Sequence, residues 1–237
     1  MAVEPHRIEL NIDLGELPDE PEELYSLATR VNIACGGHAG DDASMRHALM
    51  LAKRHGAKIA AHPSYPDRAG FGRNPKFCSV EETARAVEAQ CAKLRALGEE
   101  QAIAIDALKP HGALYHDANA DDVMAAAIVD AALRALPSLT TMVGAPNTRF
   151  EHACRARGLA FLREGFADRR YDDAGHLVPR SKPNALLTDP AACVDQALRL
   201  AREGRYDTLC AHGDTAGSLG IARAVRAALD AEGLLAS

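Results

Sequence analysis

The chain has 237 residues, 47% of them hydrophobic, and a formal net charge of −6 with acids and bases interspersed. That length can bury a sizeable core and lies in the range where an α/β barrel forms one domain. No face is basic enough to follow a phosphate backbone, which excludes nucleic acid as a partner.

Several absences narrow the class further. No Pro/Ser-rich linker, low-complexity tract or compositional shift marks a boundary, so a single domain over 1–237 is expected. The opening MAVEPHRIEL has no apolar signal-peptide core, and no apolar run approaches the ~18 residues that span a bilayer. A cytoplasmic protein without membrane contact is the expectation. Cys35, Cys78, Cys91, Cys154, Cys193 and Cys210 contain no C-x-x-C pair and read as small core residues rather than a disulfide framework.

In chain order, short apolar runs bounded by turn signals predict strands near 8–14, 30–35, 57–61, 104–108, 139–143, 159–162 and 207–211. Amphipathic stretches between them predict helices. One covers 43–55 and stops at Gly56; the next opens on the capping box Ser79-Val80-Glu81-Glu82 and closes at Gly98. Further helices are predicted near 121–135, 148–157, 190–203 and 218–232, with Gly158, Gly204 and Gly233 just beyond three of them. Strands alternating with single helices require a mostly parallel sheet covered on both faces or closed on itself. About seven units, with no Gly-x-Gly-x-x-Gly after the first strand, favour an α/β fold of the closed-barrel kind; a doubly wound open sheet is the alternative. The loops at 15–22, 36–42, 62–79, 111–120 and 163–188 are long and carry the unusual residues, so one face of the barrel should hold the site.

Four histidines, His38, His62, His111 and His212, each follow a short apolar run and precede a glycine or proline turn, and Asp13 ends the first strand similarly. Their convergence at strand ends suggests one polar pocket. Asp13 and Glu16 can act as general base, metal ligand or tautomer-fixing partner, the alternative being a turn cap. His38 lies among Gly36, Gly37 and Gly40, where backbone can approach a ligand closely. Arg73 ends the long proline-containing loop and suits an anionic ligand, with a surface ion pair as the alternative. Lys109, His111 and Tyr115 surround one strand end; Lys109 reads as charge stabilisation, a structural ion pair being the alternative. His212 and Asp214 close the last strand, and Cys210 is assigned to the opposite face. Arg169, Arg170, Arg180 and Lys182 fall in a second long basic loop that could embrace a carboxylate or phosphate. Asp13, His38, His62 and His111 could hold zinc or another first-row metal, although they lack local H-x-x-x-H spacing and metal binding stays open. There is no P-loop motif for ATP.

Taken together, N-x-D-L-G-E, N-I-A-C-G-x-H-A-G-D, A-H-P-S-Y-P-D-x-x-G-F-G-R, K-P-H-G-A-L-Y, F-A-D-R-x-Y, L-V-P-R-S and H-G-D-T run in order from Asn11 to Thr215 and resemble the LamB/YcsF family of 5-oxoprolinase A subunits. The resemblance implies a seven-stranded β/α barrel similar to glycoside hydrolase/deacetylase folds. It implies ATP-dependent opening of 5-oxo-L-proline to L-glutamate, with ATP as cosubstrate of a complex that also contains subunits B and C. Ile12 stands where the family often has cysteine, which removes a thiol from the first strand. Gly37 stands where it often has phenylalanine, which should widen the pocket beside His38. Asp13, Glu16, His38, His62 and His111 would orient water and move protons, His212 and Asp214 would support them, and Arg73, Lys109, Tyr115 and Lys182 would hold the substrate. Two other readings are a metal-dependent amide hydrolase or deacetylase acting alone, and a non-catalytic subunit that delivers lactam to its partners.

Overall fold

Apolar runs with small polar interruptions form seven strands: β1 (Glu9–Leu14), β2 (Arg30–Ala34), β3 (Lys58–His62), β4 (Ala107–Leu108), β5 (Thr141–Gly144), β6 (Ala160–Phe166) and β7 (Thr208–His212). In this computed structural model, which describes residues 6–74 and 78–236, they pair in sequence order and in parallel. β1 also pairs with β7, with Asp13 opposite His212, so the sheet is a closed barrel and the open-sheet alternative is excluded. Residues 75–77 of the predicted 62–79 loop, residues 1–5 and residue 237 lie outside the described residues.

The intervening helices are α1 (Glu23–Leu27), α2 (Asp42–His55), α3 (Val80–Glu99), α4 (Gly112–Ala120), α5 (Asp122–Ala135), α6 (Arg149–Ala156), α7 (Pro190–Arg202) and α8 (Ser218–Ala231). The predicted capping box forms, Ser79 exchanging bonds with Glu82 at the start of α3, and a second one joins Asp41 and Ser44 at the start of α2. Several boundaries differ from the sequence reading, and the strand expected near 104–108 forms only at Ala107–Leu108. Helix α3 continues through Gly98, whose missing side chain lets the Ile103 carbonyl approach; a Cβ there would lie 2.9 Å from that oxygen. The expected loop at 111–120 is largely α4, a short helix whose polar content masks its period. Strand β6 runs on to Phe166 because Glu164, Gly165 and Phe166 pair with β7, so barrel closure overrides the weak strand propensity of Arg163 and Glu164.

Alternation along the strands divides the apolar core from a polar lumen. Ile12, Leu14, Val31, Ile33, Ile59, Ala61 and Leu108 pack into the cluster shared with the helices. The intervening residues point inward and bond across the barrel. Asn11 Nδ2 donates to Thr208 Oγ1 at 2.8 Å, and Asn32 Nδ2 donates to Asn11 Oδ1 and Asp13 Oδ1, each at 2.7 Å. At the amino end of the strands, Arg30 Nε and Lys58 Nζ meet the Glu9 carboxylate at 2.9 and 2.8 Å. Among the described residues all cysteines are free thiols, and no helix is long and apolar enough to cross a membrane.

Candidate active site

The carboxyl end of the lumen gathers Asp13 of β1, His62 at the end of β3, Lys109 just after β4, His111 at the start of α4 and His212 at the end of β7. They line a cavity of about 850 Å³, in the range of small-molecule sites. Lys109 N–H donates to the Ala61 carbonyl at 2.9 Å and His111 N–H to the Pro63 carbonyl at 2.8 Å, which locks the β4 end against β3 and brings the imidazoles of His62 and His111 together.

Each of these two rings has a defined tautomer when neutral. His62 Nδ1 donates to the Lys109 carbonyl at 2.8 Å, and His111 Nε2 donates to the Phe71 carbonyl at 3.0 Å. A carbonyl only accepts, so both protons are placed and the lone pairs of His62 Nε2 and His111 Nδ1 face each other 3.0 Å apart. Two facing lone pairs repel, so the pair calls for a shared proton or a cation. His38 lies behind them, stacked on His111 with ring centroids 3.7 Å apart. Its Nε2 is 2.8 Å from Glu16 Oε1, whereas its buried Nδ1 has no hydrogen-bond partner among the described residues. The Glu16 turn is held by Glu20, whose carboxylate accepts the Gly15, Glu16 and Leu17 amides at 2.7, 2.9 and 3.2 Å.

Gly72 and Gly112 permit this crowding. Both have positive φ, 64° and 59°, and a Cβ on Gly72 would come within 3.0 Å of His38 Cβ and His111 Cδ2. Gly37 does not widen the pocket as expected. Gln90 occupies the space, accepting the Ser64 amide at 3.1 Å and donating to the Ser64 carbonyl at 2.7 Å; a Cβ on Gly37 would strike its Oε1. Ile12 faces the apolar core, so the residue at that position is not part of the site.

Burial governs the electrostatics. It pushes Glu16 well above the usual carboxylate range, reinforced by the negative charges of Asp13 and Asp214. It also drives His38 and His111 well below the ordinary imidazole value, and the neighbouring rings deepen the shift. Asp13 behaves oppositely: burial resists its charge, but His62 and Lys109 outweigh that cost and hold it well below the usual range. Lys109 Nζ lies 2.9 Å from Asp13 Oδ1 and 2.8 Å from Glu164 Oε1. Burial opposes its charge too, yet Asp13, Cys210 and Glu164 raise it well above the usual lysine value, which suits charge stabilisation and not Schiff-base chemistry.

His212 donates from Nδ1 to Asp168, at 2.9 Å from Oδ1, and Asp168 also accepts the His212 amide at 3.0 Å and the Thr215 hydroxyl at 3.1 Å. Burial raises the Asp168 carboxyl, but His212 and these hydrogen bonds leave it below its ordinary value. Asp214 does not join the histidines; Arg73 and Arg180 both pair with it. Tyr115 is buried on the cavity wall beside Glu164, which, after burial itself, raises its hydroxyl well above the usual value. Lys182 is exposed and does not line the cavity, whereas Arg169 and Arg180 of the same loop do. Cys210 lies on the lumen side with its Sγ 3.2 Å from Lys109 Nζ, correcting its assignment to the opposite face: residues 210 and 212 are two apart and share one. Sequence reasoning did not select Glu164, Asp168, Asn11 or Asn32. The signal available for Asn11, Asn32 and Glu164 was a polar residue at every second position of a buried strand.

Glu16, His38, His62 and His111 each offer a donor, and these lie within 4.8 Å of one another. Glu16 Oε1 is 2.8, 3.3 and 3.8 Å from His38 Nε2, His111 Nδ1 and His62 Nε2. A tetrahedral ion with bonds of ~2.0–2.1 Å has donors about 3.3 Å apart, so the set fits a first-row metal. Glu16 thus stands where the sequence placed Asp13, which instead groups with Cys210 and His212.

The LamB/YcsF family model matches residues 8–236. The 5-oxoprolinase A subunit of Methylococcus capsulatus is 41% identical, covering 96% of this chain and 94% of its own. A 5-oxoprolinase A subunit of Pseudomonas aeruginosa is 39% identical, covering 94% and 97%. The crystal structure of the lactam utilization protein from Thermus thermophilus is 36% identical and superposes with a TM-score of 0.87, covering 97% of this chain and 98% of that one. A barrel with the same topology and extent, matched along nearly its whole sequence, leaves one assignment: this chain belongs to the LamB/YcsF family.

Proposed function

We propose that this chain is the A subunit of an ATP-dependent 5-oxoprolinase and opens the lactam ring of 5-oxo-L-proline to give L-glutamate, working in the cytoplasm with subunits B and C. One observation carries the reading. His62 Nε2, whose lone pair is fixed by the bond from Nδ1 to the Lys109 carbonyl, lies on the cavity 3.4 Å from Asp13 Oδ2, and the Lys109 ammonium pairs with the same carboxylate.

A lactam is a stable amide, and ATP-driven phosphorylation of its carbonyl oxygen makes the carbon electrophilic. The chain has no P-loop, so the reading gives nucleotide chemistry to the partners and water attack to this barrel. His62, whose imidazolium Asp13 stabilises, takes the proton of the attacking water and returns one to the ring nitrogen as the C–N bond breaks, which leaves the γ-glutamyl phosphate; a second water hydrolyses this acyl phosphate and releases inorganic phosphate and L-glutamate. Lys109 stabilises negative charge on the oxygen. His38 and Glu16 act behind His62 and His111, holding the rings in place, since neither lines the cavity.

The test is ATP turnover and glutamate release by the three-subunit complex. Release that requires this chain and is abolished by His62→Ala supports the reading. Full lactam hydrolysis by B and C alone would instead give this chain a delivery role.

The four-donor set supports a second reading, an amide hydrolase that needs a divalent metal but neither ATP nor partners. Glu16, His38, His62 and His111 would hold the ion, which when bound supplies Lewis-acid chemistry. The imidazoles would then be ligands and not proton carriers. One equivalent of metal in untagged protein, together with amide hydrolysis without ATP, would decide for it.

A further inference from the structure

Three guanidinium groups border the cavity, and two are already ion-paired, because Arg73 and Arg180 share Asp214. Arg169 is the exception. It is only 5% exposed, Nη2 donates to the Val178 carbonyl at 2.9 Å, and Nε has no hydrogen-bond partner among the described residues. Among the described residues it forms no ion pair with a carboxylate. Its sequence neighbour Asp168 is committed to His212 and Thr215.

The position is built, not incidental. Gln196 Nε2 donates to the carbonyls of Phe166, Ala167 and Arg169 at 2.7, 3.1 and 2.7 Å, and Arg169 bridges to Leu186. This clamp holds the backbone after β6 against α7 and directs the guanidinium to the cavity wall. Burying a cation without a counter-ion costs several kcal/mol, and a guanidinium cannot escape by losing its proton. A ligand that brings the missing negative charge removes that cost. The planar fork of an arginine matches a carboxylate in a two-pronged bond, which a lysine cannot copy.

We propose that Arg169 binds the carboxylate of the small-molecule substrate and so orients the lactam carbonyl toward Asp13 and His62. The inference rests on the lactam reading and gives Arg169 the role that the sequence suggested for Lys182 and Arg73. Lys109 is unavailable for it, being held by Asp13 and Glu164.

The experiment compares wild type, Arg169→Gln and Arg169→Lys by calorimetry on the full chain, alone and in the three-subunit complex. The ligands are 5-oxoproline, 2-pyrrolidinone, which is the same ring without the carboxylate, and inorganic phosphate. The expected result is that wild type binds 5-oxoproline and not 2-pyrrolidinone. Arg169→Gln should weaken 5-oxoproline about 30-fold or more, and Arg169→Lys should restore only part of the loss. In turnover the loss should fall on KM more than on kcat. Affinity retained within about twofold in Arg169→Gln overturns the proposal. So does equal wild-type binding of the two ring compounds, phosphate binding tighter than 5-oxoproline, or no carboxylate binding in either form. If Arg169→Gln fails to fold, Arg169→Lys and the wild-type ligand comparison decide. Turnover of 5-oxoproline with unchanged KM in the variant sinks the inference alone. Arg169-dependent binding of small carboxylates without lactam turnover sinks the functional reading alone.

Discussion

The two ends of the barrel lumen are both polar and both buried, yet their charges are used differently. At the amino end Glu9 is held by Arg30 Nε at 2.9 Å and Lys58 at 2.8 Å, and these cations overcome burial to keep its carboxyl below the usual range. At the carboxyl end His62 and His111 turn lone pairs on each other, and among the described residues His38 Nδ1 has no hydrogen-bond partner and Arg169 no counter-ion. A carboxylate matched by adjacent cations does structural work. An incomplete set, beside a cavity, signals that a proton, an ion or a substrate completes it.

The contrast can be broken or sharpened by mutation. The largest expected effect is His62→Ala, which should lower kcat of the reconstituted complex by about 10²–10⁴ with native-like circular dichroism, the melting temperature falling only by what the buried ring and its bond to the Lys109 carbonyl contribute. Near-normal turnover would remove His62 from the chemistry. Glu9→Gln, at the other end, should do the reverse. Leaving Arg30 buried with only the more distant Asp106, 3.9 Å away, should cost up to about 3–5 kcal/mol in urea unfolding, with kcat of the folded protein unchanged. A matching loss of kcat would show that the two ends are coupled through Asn11 and Asn32.

A subtler effect is expected in acid. Asp168 has a folded value below its ordinary 3.8, so the unfolded chain binds its proton more readily. The stability this carboxylate contributes is complete above about pH 4 and is lost as pH falls through the lower folded value. Asp168→Asn should therefore be less stable at neutral pH and show a shallower decline of melting temperature below pH 4. Parallel curves would indicate no linkage at this site. Lys182→Ala marks the lower bound, with activity and KM expected within about twofold of wild type because its side chain is solvent-exposed.

Much of the architecture was legible. Seven apolar runs separated by amphipathic stretches predicted the barrel, and Asp13, His62, His111 and His212 all line one cavity, as strand-end residues of parallel units should. His38 was selected for the right loop, but it backs His111 instead of facing the cavity. Local pattern reports which loop a residue belongs to; its depth depends on how Gly72 and Phe71 fold over it. The loop containing Lys182 showed the limit more sharply. Its cations look equivalent in sequence, yet the Gln196 clamp turns Arg169 inward and leaves Lys182 in solvent.

The sequence by itself determined the alternation of strands and helices, the capping box at Ser79, and the end of the barrel that carries the histidines. These follow from short-range periodicity and hydrogen-bonding chemistry, which neighbouring residues largely specify. Only the tertiary structure decided that the sheet closes, that Glu16 joins three histidines while Asp13 is held by Asn32 and Lys109, and that Asp214 pairs with both Arg73 and Arg180. Those pairings join residues as far apart in sequence as Arg73 and Asp214. They are fixed by strand register and by the cost of leaving a buried charge alone, neither of which a local window of sequence contains.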